Sequence, residues 1–125
     1  MEAFTHIYNQ IVNLGETQVY INSYNDDSDN IVAIHYYEGN IETEIAFNKE
    51  VIARHIGLQI YVRDTNFELG YARIEAIRAL FAVYKYQSIV IRQKGDILTL
   101  GNDEKNRSEF TINFNLELIN GNTVT

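Results

Sequence analysis

The chain has no cysteine, no proline and no tryptophan in 125 residues. Without cysteine there is no disulfide framework, no thiol nucleophile and no thiolate site for zinc or an iron–sulfur cluster. Basic residues are also few: ten Lys and Arg stand against seventeen Asp and Glu, a formal charge of −7. They are scattered, Arg73 and Arg78 coming nearest to a cluster, so the basic footprint that non-specific nucleic-acid binding requires is missing. No apolar run approaches the ~18 residues of a membrane span. The opening stretch carries Glu2 and no lysine or arginine before Gly15, which is unlike a secretory signal. The expectation is a soluble domain over residues 1–125 with no membrane partner, large enough to build a core without covalent staples.

What is present is periodicity. Residues 2–14 predict a helix with Phe4, Ile7, Tyr8, Ile11 and Leu14 on one face and Gly15 as its stop. Residues 17–24 and 31–38 alternate as two strands, and the tract 25–30 (NDDSDN) between them predicts a hairpin turn. Gly39–Asn40 predicts a further turn. A strand over 42–47 follows, within a segment, about 40–53, expected to be a mobile loop or hairpin arm. Ile56, Leu58, Ile60 and Val62 then alternate with polar positions along a strand that ends at Arg63-Asp64. Thr65 and Glu68 predict a capping box that opens a helix at Asn66, with Phe67, Tyr71, Ile74, Ile77, Phe81 and Tyr84 on one stripe.

Strands are expected over 88–93 and 96–100, with a turn at Lys94–Gly95 between them and a polar loop at 101–107. Phe110, Ile112, Phe114, Leu116 and Leu118 give the clearest alternation in the chain, and 121–125 is expected to fray. These patterns predict an α+β fold. It would be a two-layer sandwich whose mostly antiparallel or mixed sheet is covered on one face by two helices.

No chemistry-bearing motif accompanies this scaffold. His6, His35 and His55 lack metal-ligand spacing. Counted from Asp26, a calcium loop would need glycine at its sixth position and glutamate at its twelfth, where Ile31 and Tyr37 stand. Glu42 and Glu44 share a strand face, but a polar outer face accounts for them. Ser23, Ser88 and Ser108 lack a nucleophile turn. No enzyme activity and no cofactor are expected. The nine tyrosines suit half-buried core positions or a flat partner surface. Arg63 points away from the apolar residues of its strand and is expected to be available to a partner. Asp103, Glu104, Lys105 and Arg107 place four charges in five residues, suited to a solvated loop or to a contact that fixes register between subunits.

The stretch VRDTNFELGYARIEAIRALF (62–81), with LTLGNDEKNRSEFTINFNLEL (98–118), resembles the small minor capsid and tail-terminator proteins of long-tailed bacteriophages. The shared features, in order, are a short first helix, a strand ending in Arg-Asp before the second helix, a late LG-x-DE-x-x-R loop, and a final strand containing an asparagine, here Asn113. The resemblance covers most of the chain and is weakest over 40–53. It implies a structural protein of the virion tail or neck, assembled in the host cytoplasm as a homohexameric ring. Such a ring caps the tail tube, ends its polymerisation, and joins it to the head–tail connector, while DNA passes through unbound. Residues Arg63, Asp64, Glu42, Glu44, Lys49, Asp103, Glu104, Lys105 and Arg107 are the expected contacts. Two other readings remain open: a neighbouring head- or tail-completion protein, and a cytosolic module with a ligand pocket in the tyrosine-rich strands.

Overall fold

The protein is described here by a computed structural model, covering residues 2–46 and 49–119, with the backbone alone described over 38–46 and 49–52. The chain forms α1 (Glu2–Val12), β1 (Val19–Ile21), β2 (Ile31–Ala46), β3 (Lys49–Asp64), α2 (Phe67–Phe81), β4 (Val83–Tyr86), β5 (Ile89–Asn102) and β6 (Ser108–Ile119). It is α+β. One mixed sheet runs in the order β1-β2-β3-β6-β5-β4, with β1 and β2 parallel and every other pair antiparallel. The sheet curls into a half-barrel rather than lying as a flat layer of a sandwich.

The inner face follows from the alternation. Val32 and Ile34, Leu58, Ile60 and Val62, Ile89 and Ile91, and Phe110, Ile112, Phe114 and Leu116 all bury there. Ile7 and Ile11 of α1 and Ile74, Ile77 and Phe81 of α2 pack against them. Each such side chain contributes about 1.5–3 kcal/mol by leaving water, so the long apolar rows fix the register of the central strands. Phe81 meets Phe114 edge-on, with ring centroids 5.9 Å apart.

Several sequence expectations are corrected. Residues 17–24 and 31–38 are not a hairpin: Val19, Tyr20 and Ile21 run parallel beside Val32, Ala33 and Ile34. Asn22, at φ 66°, turns the chain out of β1, and residues 22–30 then travel back as a crossover over the outer face. A parallel crossover is usually longer; nine residues suffice because β1 spans only three. The expected turn at Gly39–Asn40 is instead a register shift between Tyr37 and Gly39 inside a continuous β2. Lys94–Gly95 is likewise an irregularity inside one long β5, with Gly95 at φ 80°. The helix α2 opens at Phe67 with Asn66 as its cap, because the Asn66 side chain accepts from Leu69 N at 2.9 Å. Thr65 instead donates its amide to Asn30 Oδ1. Tyr84 leaves the helix for β4, and α1 ends at Val12, leaving Leu14 exposed and Gly15 at φ 101°.

Residues 40–46 and 49–53 form a two-stranded arm. β2 and β3 pair from Ile31–Arg63 out to Ala46–Lys49, whereas among the described residues β6 accompanies β3 only as far as Ala53. Residues 121–125, expected to fray, lie outside the described residues, as do the side chains of Glu42, Glu44 and Lys49.

Candidate functional site

β3 carries two of the three expected contact regions to opposite ends of the molecule. Its start, at Lys49, is in the arm; its end is Arg63-Asp64. At about 3.3 Å per residue the two lie roughly 50 Å apart along the strand. The third region, Asp103–Arg107, joins the Arg63 end, since Arg63 pairs with Glu109 and Asp64 with Ser108 at the foot of β6.

Successive strand residues face opposite sides of the sheet, and this splits the Arg63-Asp64 pair. Asp64 faces the helix side, where Arg73 Nη1 lies 3.0 Å from its Oδ2. Arg73 also donates to the Arg63 carbonyl and forks onto Glu16, with Nη2 2.7 Å from Oε1. Asp64 Oδ1 accepts from Asn66 N at 2.8 Å, holding the turn that places the helix cap. Burial works against the Arg73 charge, but Glu16 and Asp64 outweigh it and raise the guanidinium pKa.

Arg63 faces the outer side and is 2 % exposed. The expectation that it is available to a partner is therefore corrected: the crossover 22–30 lies over it. Its Nη2 donates to the carbonyls of Asn25 and Ser28, and its Nη1 lies 3.6 Å from Asp26. Its guanidinium sits 5.3 Å from the centre of the Tyr24 ring. Tyr24 stacks on Tyr61, centroids 5.3 Å apart, and Tyr61 donates to Glu109. Burial, with Glu109 behind it, pushes the Tyr61 hydroxyl pKa up.

Arg107, also 2 % exposed, is the second post beneath the same crossover. It donates to the Asp26 carbonyl at 2.8 Å and reaches Asp26 Oδ1 at 3.1 Å. Across its own turn, Nη2 lies 2.7 Å from Asp103 Oδ2. Asp103 Oδ1 in turn accepts the amides of Lys105 and Arg107. The Arg107 hydrogen bond holds the Asp103 carboxyl below its usual range. Lys105 first and Arg107 second do the same for Asp26.

The charged loop at 103–107 is thus half internal. Arg107 and Asp103 organise it, while Glu104 and Lys105 face outward, Lys105 reaching Asp26 at 3.1 Å. A shallow cavity of about 210 Å³ opens among Tyr24, Asp26, Arg63, Glu104, Lys105 and Glu109. Beside this rim the first turn of α2 exposes Phe67 (51 %) and Leu69 (61 %). Sequence reasoning missed Tyr24, Asp26, Glu16 and Arg73. The available signal was electrostatic: two arginines at neighbouring strand ends need carboxylates, and Asp26–Asp29 is the densest acidic tract in the chain.

Among the described residues no group of three or more His, Cys, Asp or Glu could hold a metal ion. The rim is instead a set of loops fixed by buried arginines, which presents a shaped polar surface.

A family model described as bacteriophage tail terminator protein matches residues 9–120. The chain belongs to the bacteriophage tail terminator family. No curated protein matches it. The family is a structural one, which makes this chain a component of the phage virion tail. The matched span contains every strand and the whole of α2, including the rim and the arm.

Proposed function

We propose that this tail terminator works as a closed ring of copies, six as the resemblance implies. One face of the ring covers the end of the tail tube and stops its growth; the other offers a surface to the head–tail connector. The observation that supports this reading is the separation, on one sheet, of the two ends that carry the expected contacts. The arm at one end and the rim of Arg63-Asp64 and Asp103–Arg107 at the other lie along a single strand, β3. A ring with two different faces needs a protomer with two different ends, and head-to-tail contacts that close.

Within this reading Arg63, Asp64 and Arg107 act by holding the rim, and Glu104, Lys105, Phe67 and Leu69 meet the partner. Glu42, Glu44 and Lys49 belong to the arm that reaches a neighbouring copy. Assembly takes place in the host cytoplasm. DNA slides through the finished ring without specific binding, consistent with the net charge of −7.

The solution mass over a concentration series, read with negative-stain images, tests the ring. A hexamer with a central hole is expected. A chain that stays monomeric both in solution and on tail-tube ends would overturn it and favour a neighbouring neck component.

A further inference from the structure

Among the described residues the sheet has two partly unpaired edges, and they are complementary. On one side, β1 covers β2 only over Val32–Ile34, and the Asn22 side chain caps the Tyr36 amide. Beyond Tyr36 the outer edge of β2 runs open into the arm. On the other side, β4 covers β5 only over Ile89–Arg92, with Gln93 N bonded to Ala82 O. Among the described residues no strand covers the outer edge of β5 from Lys94 to Asn102. Open edges are normally blunted. Irregularities bracket this one at Lys94/Leu98 and Thr99/Gly101, yet Leu98 and Leu100 stand 53 % exposed along it.

We propose that the open β2 edge of one copy pairs with the open β5 edge of the next, so that a continuous sheet passes from protomer to protomer. This rests on the ring reading above. Three observations carry it. First, β2 and β5 run in opposite senses within the sheet: β2 is antiparallel to β3, β3 to β6 and β6 to β5. Rotation about a ring axis keeps each strand's sense, so the joint is antiparallel, the more stable pairing.

Second, the edges are offset, the β2 edge lying toward the arm and the β5 edge toward the rim. Joining them staggers neighbours by roughly 25 Å along the strands, at about 3.3 Å per residue. A sheet closes on itself only with such a stagger, its strands tilted to the axis.

Third, the charges match. The arm over 38–52 carries Glu38, Glu42, Glu44 and Glu50 against Lys49. The open β5 edge begins at Lys94, against Asp96, and Arg92 stands exposed just before it, paired with Val83 where β4 ends. The backbone register sets Glu42 beside Ala53 and Glu44 beside Val51 in the arm, and Arg92 beside Asn115 and Lys94 beside Asn113 on β5. In a continuous sheet the acidic arm sequence therefore meets the basic start of the β5 edge, and opposite charges favour the pairing and fix its register.

Two double variants of the full chain test this, Arg92→Glu with Lys94→Glu, and Glu42→Lys with Glu44→Lys. The altered β5 side chains are exposed, so unchanged thermal melting is the control for the fold. Under conditions where the unaltered protein forms rings, each variant alone is expected to lose them and run at one protomer's mass. An equimolar mixture is expected to recover rings of the original mass, alternating the two variants, because every joint then again has one acidic and one basic side. Rings formed by either variant alone would overturn the edge pairing while leaving the ring reading intact. So would a mixture that stays monomeric, or variants that keep rings and lose only tube binding. Failure of the unaltered protein to form rings in solution or on tubes would overturn both.

Discussion

At the scale of single residues, the rim is held by side chains whose surroundings set their effect. Arg63 donates to the carbonyls of Asn25 and Ser28 from a buried position. Arg63→Ala should lower stability by roughly 1–3 kcal/mol, the cost of leaving such buried partners unsatisfied. Lys105→Ala, which removes a solvent-exposed ion pair with Asp26, should leave it nearly unchanged. Urea midpoints of the two variants, side by side, check the contrast.

Gly70 is set by close approach: a Cβ there would stand 2.7 Å from a Phe110 ring carbon and 2.9 Å from Asp64 Cβ. Alanine is the better helix former by about 1 kcal/mol, but the overpacking should cost about 1–3 kcal/mol. Gly70→Ala is therefore expected to destabilise or at best to be neutral, and thermal unfolding shows which. Asp103 and Asp26 have folded pKa values below their usual 3.8. A depressed carboxylate adds stability above its unfolded value and loses it as pH falls through the folded one. The rim should therefore loosen below about pH 4. Amide exchange at residues 103–107 should rise on acidification before exchange in β6 does.

At the scale of elements, α2 depends on the Asn66 cap, and Asn66→Ala should cost about 1 kcal/mol, read from the unfolding midpoint. The legible elements were those whose burial is one-sided. β6 and the second half of β3 alternate because one face meets Phe81, Ile74 and Ile77 while the other meets polar neighbours. β1 was misread because alternation reports burial and says nothing about the direction of a partner strand. Its parallel pairing is decided by Asn22 and by arginines more than thirty residues away. Tyr84 was misread because three residues after Phe81 is a helical spacing, and the same ring packs equally well on Phe81 from β4, edge-on at 5.3 Å. The charged site was half legible: Asp103–Arg107 stood out as a cluster, but the burial of Arg63 and Arg107 arises only once the crossover lies across them.

At the scale of the whole molecule, family membership and architecture meet in one account. The curled sheet gives a rigid body with an arm at one end and an arginine-held rim at the other, and its two open edges lie on opposite sides. Shortening the arm should leave the helix-covered core folded, because Ala53 is the last arm-side residue that β6 pairs with β3, while assembly is lost. Near-ultraviolet circular dichroism and solution mass, measured on the same shortened chain, separate the two effects.

The most direct test of the central claim adds the purified protein to growing tail tubes and measures their lengths by electron microscopy. The account predicts that elongation stops and that a ring of density sits on one end of each tube. Tubes that keep growing to the same lengths, with bare ends, would contradict it.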